Sequence, residues 1–138
     1  MAIGVARAAF EYAMDYAGQR EQFGKPIARL QAIGFMIADM ATEIDASRLL
    51  TWRAAWMMDV GKHNNLEASM AKAKAGIAVT QITQKAVELL GTLGYSRQFL
   101  LEKWMRDAKI NDIFEGTQQI NLLIIARRIL GYSSKELN

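Results

Sequence analysis

Two stretches of this 138-residue chain carry side chains whose types and placement suit chemistry. In INDIFEGTQQI, residues 110–120, the acid Glu115 stands between an aromatic residue and a glycine, just ahead of the apolar run INLLIIARRIL. A carboxylate in that setting suits proton abstraction if its surroundings raise its basicity, and Ile113 and Phe114 are consistent with a dry setting. It is also an acid near a helix start, where the macrodipole favours negative charge. On FEGT alone the second account is the cheaper. Thr117, Gln118 and Gln119 follow. A helix N-terminus there would be an anion site, while Thr117 as a plain cap serves equally well and at the same time. Arg127, further along, suits a helix C-terminal charge role. The second stretch is QREQFGKPIARLQ, residues 19–31. The Arg20 guanidinium matches a pyrophosphate through paired contacts, or it forms a surface ion pair with Glu21 or Asp15. Gln22 can donate to or accept from phosphate or ribose. Phe23 reads either as a contact for a flat ligand or as core, and Gln31 as a ligand contact or an exposed helical amide.

Helical periodicity runs through the elements that must hold these residues. Ile3, Phe10, Met14 and Ala17 share one helical face up to Gly18. Gly24 and Pro26 break the pattern, and Pro26 suits the first turn of a following helix. From about Ile27 to Val60 a stripe of Ile33, Ile37, Met40, Ile44 and Leu50 continues towards Ala54 and Met58. That is a rod on the order of 50 Å long. Gly61 fits a position just beyond a helix end, and Asn64 or Asn65 fits an N-cap. Leu66 to Leu90 form a second long helix, and its many alanines point to close helix–helix approach. After GTLGYS a shorter helix spans about Gln98 to Arg106, and a last one runs from Gln118 to about Leu130, with Gly131 as its stop. The last helix is apolar nearly all round, which implies burial inside a bundle or between subunits. No strand pattern is visible. Short connections favour antiparallel neighbours, so the expected fold is all-α: an up-and-down four-helix bundle with an additional short helix.

Composition narrows the chemistry. Half the residues are apolar and 22% are charged, as in a soluble domain with a real core. The chain has no Cys and a single His, His63. A disulfide scaffold, a cysteine-based zinc site and a histidine-rich metal centre are therefore not expected. No apolar run is long enough for a membrane span, and no signal peptide is visible at the start. Net charge is +3, and bases alternate with acids in KWMRDAK and AGQREQFGK, so a nucleic-acid surface is not expected. Trp52, Trp56 and Trp104, with Met57 and Met58, read as core or subunit contact.

The stretch QREQFGKPIARLQAIGFMIADMA resembles a signature of the acyl-CoA dehydrogenase family, Arg-x-x-Phe-Gly-Lys-Pro followed by a Gln on the next helix. MRDAKINDIFEGTQQINLLIIAR is similar to the family's second signature, with its Arg-Asp-Ala and aromatic-Glu-Gly-Thr. AIGVARAAFEYAMDYA resembles the helix preceding the first signature, and ELLGTLGY falls where the family carries Gln-x-x-Gly-Gly. These elements occur in family order and spacing over essentially the whole chain.

The resemblance implies that residues 1–138 are the C-terminal helical domain of a three-domain flavoenzyme, without the N-terminal and middle domains, as an excised domain or a truncated reading frame. It implies α,β-dehydrogenation of an acyl-CoA thioester, with Glu115 removing the α-proton while FAD takes a hydride from the β-carbon. Gly116 would let the backbone approach the thioester oxygen, and Arg127 matches a family Arg on the substrate side. Arg20 would reach the flavin phosphates of a neighbouring subunit, with Gln22 and Phe23 beside the dinucleotide, Gln31 on the adenine side, and Thr117, Gln118 and Gln119 at phosphate or ribose. Glu88 and Thr92 depart from the family's Gln and Gly. An ionised Glu88 repels phosphate, whereas near adenine it accepts from an amino group. The implied partners are an acyl-CoA substrate, a homodimer or homotetramer, and an electron-transfer flavoprotein as electron acceptor. The implied location is the bacterial cytoplasm or the mitochondrial matrix. Two competing readings are a non-catalytic helical assembly module and a domain of an acyl-CoA oxidase.

Overall fold

The computed structural model describes residues 1–137. Six α-helices lie among them: α1 (Ala2–Gln19), α2 (Gln31–Asp59), α3 (Asn65–Leu90), the single turn α4 (Thr92–Tyr95), α5 (Leu101–Ala108) and α6 (Gln118–Leu130). The fold is all-α, as expected. No helix among the described residues is long and apolar enough to cross a membrane.

The centre of the bundle is α3, which packs against every other helix. Its composition explains why. Ala71, Ala73, Gly76, Ala78 and Ala86 are all buried on it, with Val79, Ile82 and Thr83. Small side chains let neighbouring backbones close in around one rod. The same device serves α1, whose buried face is Ala6, Ala9, Ala13 and Ala17. That corrects the expected face: Ala17 is buried as predicted, but Met14 is exposed and Ile3 and Phe10 only flank the core. Alanines at three- and four-residue spacing set the closest approach, and the larger residues sit to either side.

From α2 come Met40, Ile44 and Ala54 to the core, together with Ser47, whose hydroxyl donates to the Glu43 carbonyl at 2.7 Å. Ion pairs lash α2 to α3 along their length: Arg53–Glu67 at 3.0 Å, Lys74–Glu43 at 2.6 Å, and Lys85–Asp39. At the turn between them Gly61, with φ +70°, closes α2. The Gly61 N–H donates to the Met58 carbonyl and the Lys62 N–H to the Met57 carbonyl, the paired bonds of a Schellman ending.

Four expectations shift. Residues 27–30 do not begin α2; Ile27–Arg29 form a separate 3₁₀ turn, and Pro26 belongs to a short strand before it. That strand, Lys25–Pro26, pairs antiparallel with Glu21–Gln22. A hairpin of two-residue strands is too short to show alternation, so no strand was expected. The short helix starts at Leu101, not near Gln98. Finally, α6 is not buried within this chain: Asn121 is its one buried residue, while Ile120, Leu122, Ile129 and Leu130 are exposed. Of the two placements its apolar character implied, burial inside the chain's own bundle is not seen. Trp52 and Trp56 on α2 are likewise exposed.

Where α3 ends, Gly91 turns with φ +62° and α4 folds back onto α3. A Cβ on Gly94 would lie 2.6 Å from the Val87 carbonyl oxygen, inside any tolerable contact. Replacing Gly94 with Ala is expected to destabilise the domain by about 1–3 kcal/mol through overpacking, read as a lowered denaturation midpoint. An unchanged midpoint would show that α4 does not rest on α3 this closely.

Candidate functional site

Two concave regions hold five of the residues singled out above: Arg20, Gln22, Glu88 and Thr92 in one and Glu115 in the other. The first is a cleft of about 550 Å³ lined by Arg20, Gln22, Glu88, Gly91 and Thr92, with Tyr16, Ile27, Leu30 and Ile33 among its apolar walls. The second is a smaller cavity of about 250 Å³ lined by Glu115, Phe114, Lys72, Asn111, Thr51 and the N-terminal residues of α1. The sequence placed Arg20 and Glu88 far apart, and the fold brings them into one cleft.

The cleft owes its shape to the hairpin. Its two-residue loop, Phe23–Gly24, has positive φ at both positions, 54° and 73°, as a tight hairpin loop of right-handed twist requires. The Ile27 N–H closes the segment by donating to the Arg20 carbonyl at 2.8 Å, which fixes Arg20 and Gln22 at the cleft edge. Phe23 is not core: it stands 85% exposed at the hairpin tip, in a backbone conformation unusual for a bulky residue. Gln31, the first residue of α2, is also exposed and is not among the residues lining the cleft. The donor set suits a nucleotide. Arg20 supplies a guanidinium, Gln22 an amide and Thr92 a hydroxyl, and Glu88 is an acceptor for an amino group. The cleft is thus mixed in charge, with a cation between α1 and the hairpin and an acid on the last turn of α3.

Glu115 lies in the connection between the 3₁₀ turn Lys109–Asp112 and α6. Its backbone is left-handed, with φ 52°, and Gly116 continues at φ 95°. For a residue other than glycine such a conformation costs on the order of 1–3 kcal/mol and collects at functional sites. Gly116 has a packing reason as well, since a Cβ there would lie 3.2 Å from the Asn121 amide nitrogen. The helix after it starts as expected: the Ile120 N–H donates to the Thr117 hydroxyl at 3.3 Å, an N-cap. Gln118 lines a shallow apolar depression with Leu50, Met70, Ile77 and Leu122, and Gln119 is exposed. The carboxylate of Glu115 is not dried by this chain, because Glu115 and Ile113 are exposed and Phe114 half-buried.

Arg127 does not join Glu115. Its Nε donates to the Leu137 carbonyl at 2.7 Å, tying α6 to the C-terminal segment, and it is not among the residues lining the Glu115 cavity.

Two residues near Glu115 escaped the sequence reading. Lys72 projects from α3 into the same cavity, its ammonium donating to the Asn111 carbonyl and standing 5.3 Å from the centroid of the Phe114 ring. Asn121, buried on α6, donates from Nδ2 to the carbonyls of Gly116 at 2.8 Å and Thr117 at 3.0 Å. Neither residue type signals chemistry alone, and Lys72 is remote in sequence. Lys72 and Glu88, which line the two regions, stand sixteen residues apart on α3, about 24 Å along that helix.

Known proteins supply the frame. Residues 1–130 match the model of the acyl-CoA dehydrogenase C-terminal domain. The chain is 46% identical over 129 residues to the mitochondrial short-chain specific acyl-CoA dehydrogenase of Bos taurus, covering 94% of this chain and 31% of that protein. It is 46% identical over 130 residues to an acyl-CoA dehydrogenase of Bacillus subtilis, covering 94% and 34%. Butyryl-CoA dehydrogenase from Megasphaera elsdenii superposes with a TM-score of 0.92 at 40% identity, over 94% of this chain and 34% of that one. The chain thus spans about a third of the length of these relatives. With a matched family model over nearly its whole length and the same helical bundle, the chain belongs to the acyl-CoA dehydrogenase family, as a C-terminal domain.

Proposed function

We propose that this domain serves an FAD-dependent acyl-CoA dehydrogenase, supplying the catalytic base and part of the cofactor site for α,β-dehydrogenation of an acyl-CoA thioester. The observation that carries the reading is Glu115: an acid held in left-handed backbone at the mouth of a largely apolar cavity. Its carboxylate takes the α-proton of the thioester, and Gly116 leaves the backbone room for the thioester oxygen. Bound FAD supplies the hydride acceptor. Arg20 and Gln22 hold its phosphates, while Glu88 and Thr92 lie in the same cleft, where Glu88 suits adenine better than phosphate. Phe23 and Gln31 do not line the cleft but adjoin Gln22 and Leu30, which do, and Thr117, Gln118 and Gln119 offer a second phosphate or ribose contact. The separation of Lys72 and Glu88, about 24 Å along α3, supports assigning the cleft to the flavin of a neighbouring copy. Arg127, engaged by Leu137 here, contributes to substrate binding only if that bond is released.

The exposed Glu115 also fits a site completed by further chain. Upstream domains of the kind that the relatives' greater length allows would close the cavity and bring the flavin ring. Electrons then leave to an electron-transfer flavoprotein, and the location is the bacterial cytoplasm or the mitochondrial matrix. Assembly into a homodimer or homotetramer is supported by the exposed Ile120, Leu122, Ile129 and Leu130 on α6 and by Trp52 and Trp56 on α2. The same faces favour a second reading, in which the chain is an assembly module without catalysis.

One preparation separates these readings. The purified 138-residue chain is expected to form a dimer or tetramer by sedimentation, with no stoichiometric FAD in its visible spectrum and no turnover of acyl-CoA. Flavin-loaded turnover would overturn the incomplete-site account. With the upstream domains restored, Glu115→Gln is expected to lower kcat by about 10²–10⁴-fold, the usual worth of a general base, with FAD retained. Near-normal turnover would remove Glu115 from the mechanism, and the absence of flavin binding in the restored protein would favour the assembly module.

A further inference from the structure

We propose that Lys72 and Asn121 are positioning residues for Glu115, a two-sided clamp that fixes the direction of its carboxylate. The proposal rests on the reading of Glu115 as the base. The direction of a side chain is inherited from its backbone dihedrals, and Glu115 holds φ 52°, a value a residue other than glycine does not adopt unaided, ahead of Gly116 at φ 95°. Something must hold them, and the structure shows a grip on each side.

Before Glu115, the Lys72 ammonium donates to the Asn111 carbonyl and faces the Phe114 ring at 5.3 Å, within cation–π range. One cation thereby secures both the end of the 3₁₀ turn and the residue next to the base. The Asn111 backbone also lies close against α3, since a Cβ on Gly76 would come within 3.1 Å of the Asn111 carbonyl oxygen. After Glu115, the buried Asn121 amide donates to the Gly116 and Thr117 carbonyls. The connection is thus pinned to α3 through Lys72 and to α6 through Asn121, with the strained Glu115 between the pins. Both grips are made by side-chain donors to backbone carbonyls, so they constrain the path of the chain and leave the carboxylate open to substrate.

The test uses the flavoprotein restored with its upstream domains. Asn121→Asp keeps the shape and deletes the donor; Lys72→Met keeps the stem and deletes the cation. Each is expected to lower kcat on the order of 10- to 100-fold by misplacing the base, with KM and FAD content retained. Substrate deuterated at the α-carbon should show a larger isotope effect than in the parent, because proton removal becomes the slow step. Lys72→Arg, which keeps a cation and a donor, should recover part of the loss. In a Glu115→Gln background neither substitution should lower the residual rate further. The proposal is overturned if Glu115→Gln is inactive while both clamp variants turn over normally. It is equally overturned if their losses track lost FAD or lost helical signal with an unchanged isotope effect. Normal turnover by Glu115→Gln would defeat the base reading itself, and the clamp with it.

Discussion

Everything in this domain hangs on α3 being thin. A helix that must touch every other helix can do so only if its side chains are small, and the alanines at 71, 73, 78 and 86, with Gly76, meet that demand. Bulkier residues at those positions would push the neighbours outward and separate the parts of both concave regions. Lys72 and Gly76 on α3 meet the connection carrying Glu115, and Glu88 to Gly91 at its end form one wall of the cleft. The helix is therefore both the core of the fold and the ruler that sets the spacing of the two regions.

Small residues also decide where rigidity and strain reside. The tight α1–α3 and α2–α3 contacts fix the bundle, and the ion pairs along α2 and α3 act mainly as register marks, since partly exposed pairs contribute little stability each. Against that stiff frame, two non-glycine residues keep left-handed backbone, Phe23 and Glu115. Each sits in one of the two stretches whose chemistry drew attention, one at the hairpin tip and one at the cavity mouth. A strained conformation persists only where its surroundings over-determine it, and the bundle supplies those surroundings.

Much of this was legible in the residues. Thr117 as cap, Gly61 and Gly131 as helix ends and the alanine-rich close approach of residues 66–90 follow from local chemistry, and the structure repeats them. The α1 face was misjudged because periodicity weights large apolar side chains, whereas the nearest packing belonged to alanine. The hairpin at residues 21–26 was missed because two-residue strands carry no alternation. Lys72 and Asn121 were invisible for a different reason. A lysine on an amphipathic helix and an asparagine in an apolar one look like solvated polar residues until tertiary contacts reveal the carbonyls they meet. Arg127 was the converse case: a motif position whose side chain the fold commits to the Leu137 carbonyl.

The separation of the Glu115 cavity from the Arg20 cleft along α3 has a genetic consequence under the proposed function. If the cleft grips the flavin of a neighbouring copy, each reaction centre takes its base from one chain and part of its cofactor grip from another. Two defective alleles, one lacking Glu115 and one lacking Arg20, would then complement within a mixed dimer, because one of its two centres would inherit both defects and the other neither.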